Sequence, residues 1–177
     1  QGKFIVLVGL MGAGKTKLGR IIASSFELPF IDADAEIEAA AGCSVQEIFD
    51  RFGEDYFRDG ERRVIQRILS EQPAVLATGG GAYMNEETQQ EISAHGVAVW
   101  LRADLDLLVR RTERRSGRPL LNKGNGREIL ADLMDKRYPV YAKADFVVDV
   151  SDEPAPQTAQ RIMTNLIEHQ PIEENAS

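Results

Sequence analysis

The chain has 177 residues, of which 43% are hydrophobic and 28% charged, an ordinary balance for a single soluble globular domain. Its formal net charge of −7 argues against general binding to nucleic acid or to anionic membranes, because such proteins are usually basic. The single cysteine, Cys43, excludes an internal disulfide and fits a reducing cytoplasm. No apolar stretch has the length of a membrane span. We therefore expect a cytoplasmic protein with one domain over residues 1–177.

Strand-like and helix-like segments alternate along the chain, which predicts an α/β fold with a mainly parallel sheet covered by helices. The strand candidates are short and rich in β-branched or aromatic residues, as strands buried on both faces should be. They are Phe4–Val8, Pro29–Asp32, Ala74–Thr78, Val97–Leu101 and Phe146–Val150. The first predicted helix ends near Phe26. The others are Asp34–Ala41, Ser44–Phe52, Glu54–Ser70, Asn85–Ala94, Leu105–Glu113, Arg127–Tyr141 and Ala155–Glu168.

Residues 9–16, between the first strand and the first helix, have the sequence Gly-Leu-Met-Gly-Ala-Gly-Lys-Thr. This is a complete phosphate-binding loop of the form G-x-x-x-x-G-K-[ST], in the strand–loop–helix context that the motif requires. Backbone N–H groups and the helix N-terminus bind phosphate, Lys15 reaches the β- and γ-phosphates, and the Thr16 hydroxyl binds Mg²⁺. The motif therefore predicts a nucleoside triphosphate site. Its predicted contacts are Gly12, Ala13, Gly14, Lys15, Thr16 and Lys17.

Two carboxylates, Asp32 and Asp34, stand at the end of the second predicted strand. Ligands of open parallel sheets bind at the carboxyl ends of the strands, so we expect both acids beside the phosphate loop. The third strand, a usual place for a metal-positioning acid, ends instead in Thr78 and three glycines. Asp32 and Asp34 are the best replacement for the missing acid. The alternative is that both are helix N-caps, a role that suits Asp34 in particular.

Residues 34–60 add two short helices and an arginine-bearing segment between the second and third strands, enough for a small subdomain over about residues 33–61. After the third strand, Gly79, Gly80 and Gly81 have no side chains, so a substrate could lie against their backbone N–H groups. A simple tight turn rarely requires three glycines in a row. We therefore expect a substrate to bind at this segment.

Two arginines are candidates for binding a substrate carboxylate. Arg58 precedes Glu61 by three residues, on the same helical face, so that the carboxylate of Glu61 could orient the guanidinium. Arg137 lies near the end of a later helix. A pair of converging guanidinium groups suits a planar carboxylate, which each can bind through two hydrogen bonds. Taken singly, each arginine is better explained by a surface ion pair, because the chain has many arginines and position alone does not select these two.

Residues 114–126 are polar, glycine-rich and basic, and they include Arg118. Such a stretch predicts a mobile surface loop that could close over a phosphate site, since arginines in a flexible loop suit a transferring phosphate. The alternative is a solvated linker. Residues 171–177 are expected to be a frayed tail.

Together these features resemble the shikimate kinase family, in the nucleoside monophosphate kinase-like branch of P-loop proteins. The resemblance covers nearly the whole chain and involves the phosphate loop, the two acids, the three glycines and both arginines. It also includes Glu61, Arg118-Pro119-Leu120-Leu121, Tyr138 and Tyr141. It implies a three-layer α/β/α fold with a central five-stranded parallel sheet, a substrate-binding insertion, and a lid over about residues 112–126. It implies transfer of the ATP γ-phosphate to the 3-hydroxyl of shikimate, on the route to aromatic amino acids, by a monomer.

The resemblance assigns catalytic roles to Asp34, Lys15 and Arg118. Asp34 would contact the reacting hydroxyl, as a base or only to orient it, and Arg118 would stabilise the transferring phosphoryl group. Asp32 would hold Mg²⁺ through water, alongside Thr16.

For the substrates, the resemblance implies that Arg58 and Arg137 hold the shikimate carboxylate. The backbone of the glycine segment would line the ring, and Arg110 would lie where the family binds adenine. A different small-molecule kinase, such as one for gluconate, is the nearest alternative, although it has no evident use for the arginine pair and the three glycines. A nucleotide-dependent switch is a second alternative, and it leaves Asp34, Arg58 and Arg137 unexplained.

Overall fold

The computed structural model describes residues 3–113 and 126–169. Most of the predicted lid, with Arg118, and the predicted tail lie outside the described residues. The strands are β1 (Phe4–Val8), β2 (Phe30–Asp32), β3 (Val75–Ala77), β4 (Gly96–Arg102) and β5 (Phe146–Asp149). They form one parallel sheet in the order β2-β3-β1-β4-β5, so the predicted five-stranded parallel sheet is confirmed.

Helices flank this sheet, and a short 3₁₀ turn at Ala82–Met84 follows the glycine segment. The helices are α1 (Lys15–Ser25), α2 (Ala33–Ala41), α3 (Val45–Leu69), α4 (Glu86–His95), α5 (Leu105–Glu113), α6 (Gly126–Tyr141) and α7 (Ala155–Glu168). The predicted ends of the elements agree with these bounds to within one residue. None of the helices in the described ranges combines the length and apolarity that a membrane crossing requires.

Helix α3 contains a break at Gly53, where φ is 84° and ψ is 176°. This glycine separates the two helices that the sequence predicts, Ser44–Phe52 and Glu54–Ser70, and a positive φ of this kind favours glycine. Ser44 caps the first half, since its Oγ accepts a hydrogen bond from the N–H of Glu47 at 3.1 Å. The two halves of α3 therefore change direction at Gly53, and the second half carries Arg58 and Glu61.

Strand β1 lies in the middle of the sheet and is buried on both faces, with Val6 and Leu7 fully inaccessible to solvent. It pairs with β3 on one side and with β4 on the other. Just beyond the ladder, Thr78 donates its hydroxyl to the carbonyl oxygen of Leu7 at 2.8 Å. Because parallel strands have their carboxyl ends at one edge, the segments that follow β1 and β3 are adjacent.

Candidate active site

The phosphate loop has the open helix N-terminus that an anion site needs. Gly14 is the N-cap of α1, in a left-handed conformation with φ 97°, and no side chain caps the helix there. Lys15 is folded back onto the loop: its Nζ donates to the carbonyl oxygens of Gly9 and Leu10 at 2.5 and 3.1 Å. Thr16 and Lys17 are exposed on the first turn of α1. The loop therefore leaves backbone amides and the Thr16 hydroxyl accessible to a phosphate ligand.

The glycine segment after β3 lies against both candidate arginines. A Cβ atom built on Gly80 would lie 2.6 Å from Nη1 of Arg137, and one built on Gly81 would lie 2.6 Å from Cζ of Arg58. Any side chain at these positions would displace the guanidinium groups, so the glycines permit this close approach. The structure thus brings Arg58 and Arg137 together on one backbone segment, although they are far apart in sequence.

The same segment lies beside the phosphate loop. The position of the Gly80 Cβ would be 3.7 Å from the carbonyl oxygen of Gly9, which is the oxygen that accepts from Lys15. The proposed phosphate site and the paired arginines are therefore adjacent, with no intervening element.

Two carboxylates lie against Gly79, the first residue of the glycine segment. A Cβ on Gly79 would be 2.9 Å from Oδ1 of Asp34 and 3.3 Å from Oε2 of Glu61. Glu61 is only 3% exposed, and its Oε1 accepts a hydrogen bond from Nη1 of Arg58 at 2.8 Å. The predicted pairing of these two residues is confirmed. Among the described residues, no hydrogen-bond partner reaches the buried Oε2 of Glu61.

Burial dominates the electrostatics of both acids. It raises the pKa of Asp34, with a further increase from the charge of Asp32, while Lys15 and Arg58 act in the opposite direction. Burial also raises the pKa of Glu61, against the lowering effect of its ion pair with Arg58. Asp34 is therefore close enough to Lys15 of the phosphate loop and to Arg58 of the arginine pair for both charges to lower its pKa.

Asp32 and Asp34 differ in their local roles. Oδ1 of Asp32 accepts from the N–H groups of Asp34 and Ala35 at 2.9 and 3.4 Å, which makes Asp32 the N-cap of α2. The alternative that both acids are helix caps is right for Asp32 and wrong for Asp34, which lies in the first turn with its carboxylate at Gly79. Only the capping oxygen of Asp32 is engaged by the helix, so its carboxylate retains an oxygen for a ligand.

Among the described residues, Arg111 contacts the phosphate loop, and it was not predicted from the sequence. Its Nη1 lies 3.2 Å from the Gly12 carbonyl oxygen and 3.5 Å from that of Ala13, and its Nη2 donates to Ser151 at 3.3 Å. Arg110, the residue selected from the sequence, is exposed on α5. Helical periodicity could have identified Arg111, since Leu107, Leu108 and Thr112 define the buried face of α5.

Comparisons with known proteins support one family. A family model described as shikimate kinase matches residues 11–168. A curated shikimate kinase from Paramagnetospirillum magneticum is 53% identical over 172 residues, which cover 97% of this chain and 88% of the relative. A solved structure titled as the shikimate kinase of Acinetobacter baumannii in complex with shikimate matches with a TM-score of 0.90 at 36% identity, covering 95% of this chain and 94% of that one.

A gluconokinase structure from Sinorhizobium meliloti also aligns, with a TM-score of 0.62 at 18% identity, covering 96% of this chain and 98% of that one. At that identity the likeness concerns the fold alone. The gluconate kinase alternative therefore shares the architecture, whereas the shikimate kinases also share the sequence.

Asp34→Asn is expected to stabilise the folded protein at neutral pH. A carboxyl whose pKa is raised by folding contributes stability that is fully present below its unfolded value near 3.8 and lost as pH rises through the folded value. At pH 7 the asparagine avoids the cost of a buried charge, so we expect a gain of about 1 kcal/mol in the free energy of unfolding. Denaturant unfolding of the variant and the wild type at pH 7 and near pH 4 measures this difference in the free energy of unfolding. The gain should shrink at the lower pH.

Asp55→Asn, at an exposed position of α3, is the matched control and should change stability little at either pH. A less stable Asp34→Asn protein at pH 7, or a gain that is independent of pH, would contradict the electrostatic interpretation of this site.

Arg111→Ala and Arg110→Ala form a matched pair for the nucleotide side of the site. Because Arg111 holds the carbonyl groups of Gly12 and Ala13, its loss should weaken ATP binding about tenfold, whereas loss of the exposed Arg110 should change it less than about twofold. Calorimetric titration with ATP measures both dissociation constants. Equal weakening by both variants, or a larger effect at Arg110, would show that the carbonyl contacts do not shape the loop.

Proposed function

Since the chain belongs to the shikimate kinase family, we propose that it transfers the γ-phosphoryl group of ATP to the 3-hydroxyl of shikimate, giving shikimate 3-phosphate and ADP. One observation of the site carries this proposal. The carboxylate of Asp34 lies against Gly79, within electrostatic range of Lys15 of the phosphate loop and of Arg58 of the arginine pair. A small hydroxy acid is the class of acceptor that such an arrangement suits.

The two arginines would bind the carboxylate of the acceptor. Arg58 and Arg137 converge on Gly80 and Gly81, where fork-shaped guanidinium groups can bind a planar carboxylate through paired hydrogen bonds. Glu61 holds Arg58 in place through its ion pair at 2.8 Å. The ring of the acceptor would then lie along the backbone of the glycine segment, with its hydroxyl groups directed toward Asp34.

Asp34 would act on the hydroxyl that receives the phosphoryl group. A raised pKa makes this carboxylate a better proton acceptor than an exposed aspartate, and its position allows it to orient the hydroxyl as well. Phosphoryl transfer passes through a loose transition state, so positioning and neutralisation of charge account for most of the catalysis. Lys15 supplies positive charge at the phosphate loop, and Lys15 and Arg58 both lie close enough to influence Asp34.

Mg²⁺ fits the residues present. The described residues contain no cluster of three or more histidine, cysteine or acidic side chains that would hold a metal. Mg²⁺ bound with a nucleotide usually takes only one or two protein ligands, and completes its shell with phosphate oxygens and water. The Thr16 hydroxyl and the free oxygen of Asp32 would hold it, and the ion would neutralise phosphate charge when bound.

Further parts of the proposal concern the rest of the chain. Residues 33–61 would form the substrate-binding subdomain, and a lid over about residues 112–126 would bring Arg118 to the transferring phosphoryl group. Arg111 would supply most of the contact on the nucleotide side, with a smaller contribution from the exposed Arg110. We propose a cytoplasmic monomer that acts on small molecules, without nucleic-acid or membrane partners, and the net charge of −7 supports the last point.

An acceptor-dependent assay of ADP release tests the function. We expect turnover with ATP and shikimate at least about a hundredfold above the rate without acceptor, because water is a poor competitor for the positioned phosphoryl group. Gluconate should give no increase over the rate without acceptor. Slow hydrolysis unaffected by shikimate in well-folded protein would overturn the proposal in favour of a nucleotide-dependent switch, and turnover with gluconate would favour the other kinase.

A further inference from the structure

The hydroxyl of Tyr141 links two parts of the acceptor site. Tyr141 is fully buried at the end of α6, and its Oη donates a hydrogen bond to the carbonyl oxygen of Gly80. The same hydroxyl approaches the point on Gly80 against which the guanidinium of Arg137 packs, one helical turn earlier. We propose that Tyr141 is a positioning residue, which fixes the Gly80–Gly81 peptide on which the Arg137 guanidinium packs, in the arrangement that binds the acceptor's carboxylate.

The first link acts through the planarity of the peptide bond. The Gly80 carbonyl and the Gly81 N–H belong to one trans peptide unit, so they point in opposite directions. A hydroxyl that holds the carbonyl on one side therefore aims the N–H toward the other side. Three consecutive glycines have no side chains to restrict their backbone, and the Tyr141 hydrogen bond adds a restraint from outside the segment to the turn bond from the Ala82 N–H to the Gly79 carbonyl at 3.2 Å.

The second link reaches the guanidinium through Gly80. Arg137 packs directly on Gly80, with Nη1 only 2.6 Å from the position that a Cβ would take, and the Tyr141 Oη lies 3.7 Å from the same point. The hydroxyl that holds the Gly80 carbonyl therefore also fixes the backbone surface on which the guanidinium packs. Burial raises the pKa of Tyr141 to about 12, so its proton remains available for donation at ordinary assay pH.

Tyr138 provides a control within the same helix. Its hydroxyl donates to the carbonyl oxygen of Ala103 at 2.5 Å, away from the glycine segment. Tyr138 and Tyr141 both pack against Trp100, with ring centroids 4.8 and 5.8 Å from the indole. The two tyrosines thus share a helix, an aromatic neighbour and a hydrogen bond to a backbone carbonyl. They differ in whether that carbonyl belongs to the acceptor site.

The experiment compares Tyr141→Phe with Tyr138→Phe in the full chain, and rests on the proposed function because shikimate is the varied substrate. Tyr141→Phe should raise the KM for shikimate about tenfold, the effect of leaving the Gly80 carbonyl without its buried hydrogen bond, and change the KM for ATP less than about twofold. Tyr138→Phe should change both constants less than about twofold. Melting curves followed by the fluorescence of Trp100 set an assay temperature at which every variant is folded.

The outcomes separate the two proposals. An unchanged KM for shikimate in Tyr141→Phe, or a parallel rise for both substrates, would overturn the positioning role while leaving the kinase function in place. An equal rise in Tyr138→Phe would also overturn it, because it would assign the effect to packing of α6. Absence of shikimate-dependent turnover in the wild-type protein would instead reject the proposed function, and with it this role for Tyr141.

Discussion

The parallel pairing of β1 with β3 is the constraint on which the rest of the site depends. It places the phosphate loop and the glycine segment side by side, so that Gly80 approaches the carbonyl oxygen of Gly9. The hydrogen bond from Thr78 to Leu7 extends the pairing past the last ladder residues, to the point where both loops begin. The strands that carry both loops are buried, so packing of the core fixes the position of one loop relative to the other.

Charge at this junction is balanced locally, within a chain of net charge −7. Two buried acids, Asp34 and Glu61, lie among the cations Lys15, Arg58 and Arg137, and burial still raises the pKa of both acids. The folded protein therefore retains an unfavourable electrostatic contribution at neutral pH. Such a cost is expected where charged groups are arranged to bind a ligand, because the arrangement serves binding and not the stability of the free protein.

The architecture and the phosphate loop could be predicted from the sequence, because hydrophobic periodicity and the phosphate-loop motif are local signals. The break at Gly53 was predictable for the same reason. Other features depend on tertiary contacts. Asp32 caps α2, whereas the carboxylate of Asp34 lies at Gly79. The two acids are separated by one residue, and the local sequence does not indicate which of them caps the helix and which contacts the glycine segment. Arg111, rather than Arg110, contacts the phosphate loop, and a shift of one residue on a helix changes the direction by about a quarter turn. The hydrogen bond from Tyr141 to Gly80 joins residues 61 positions apart, so no local sequence pattern could predict it.

A crystal structure with ADP and shikimate would test the central claim most directly, namely that the glycine segment presents the acceptor to the phosphate loop. The account predicts the shikimate carboxylate within hydrogen-bond distance of both Arg58 and Arg137. It also predicts one ring hydroxyl on Asp34, on the side that faces the phosphate loop. A carboxylate bound away from the two arginines, or a ring whose hydroxyl groups all lie out of reach of Asp34, would contradict it.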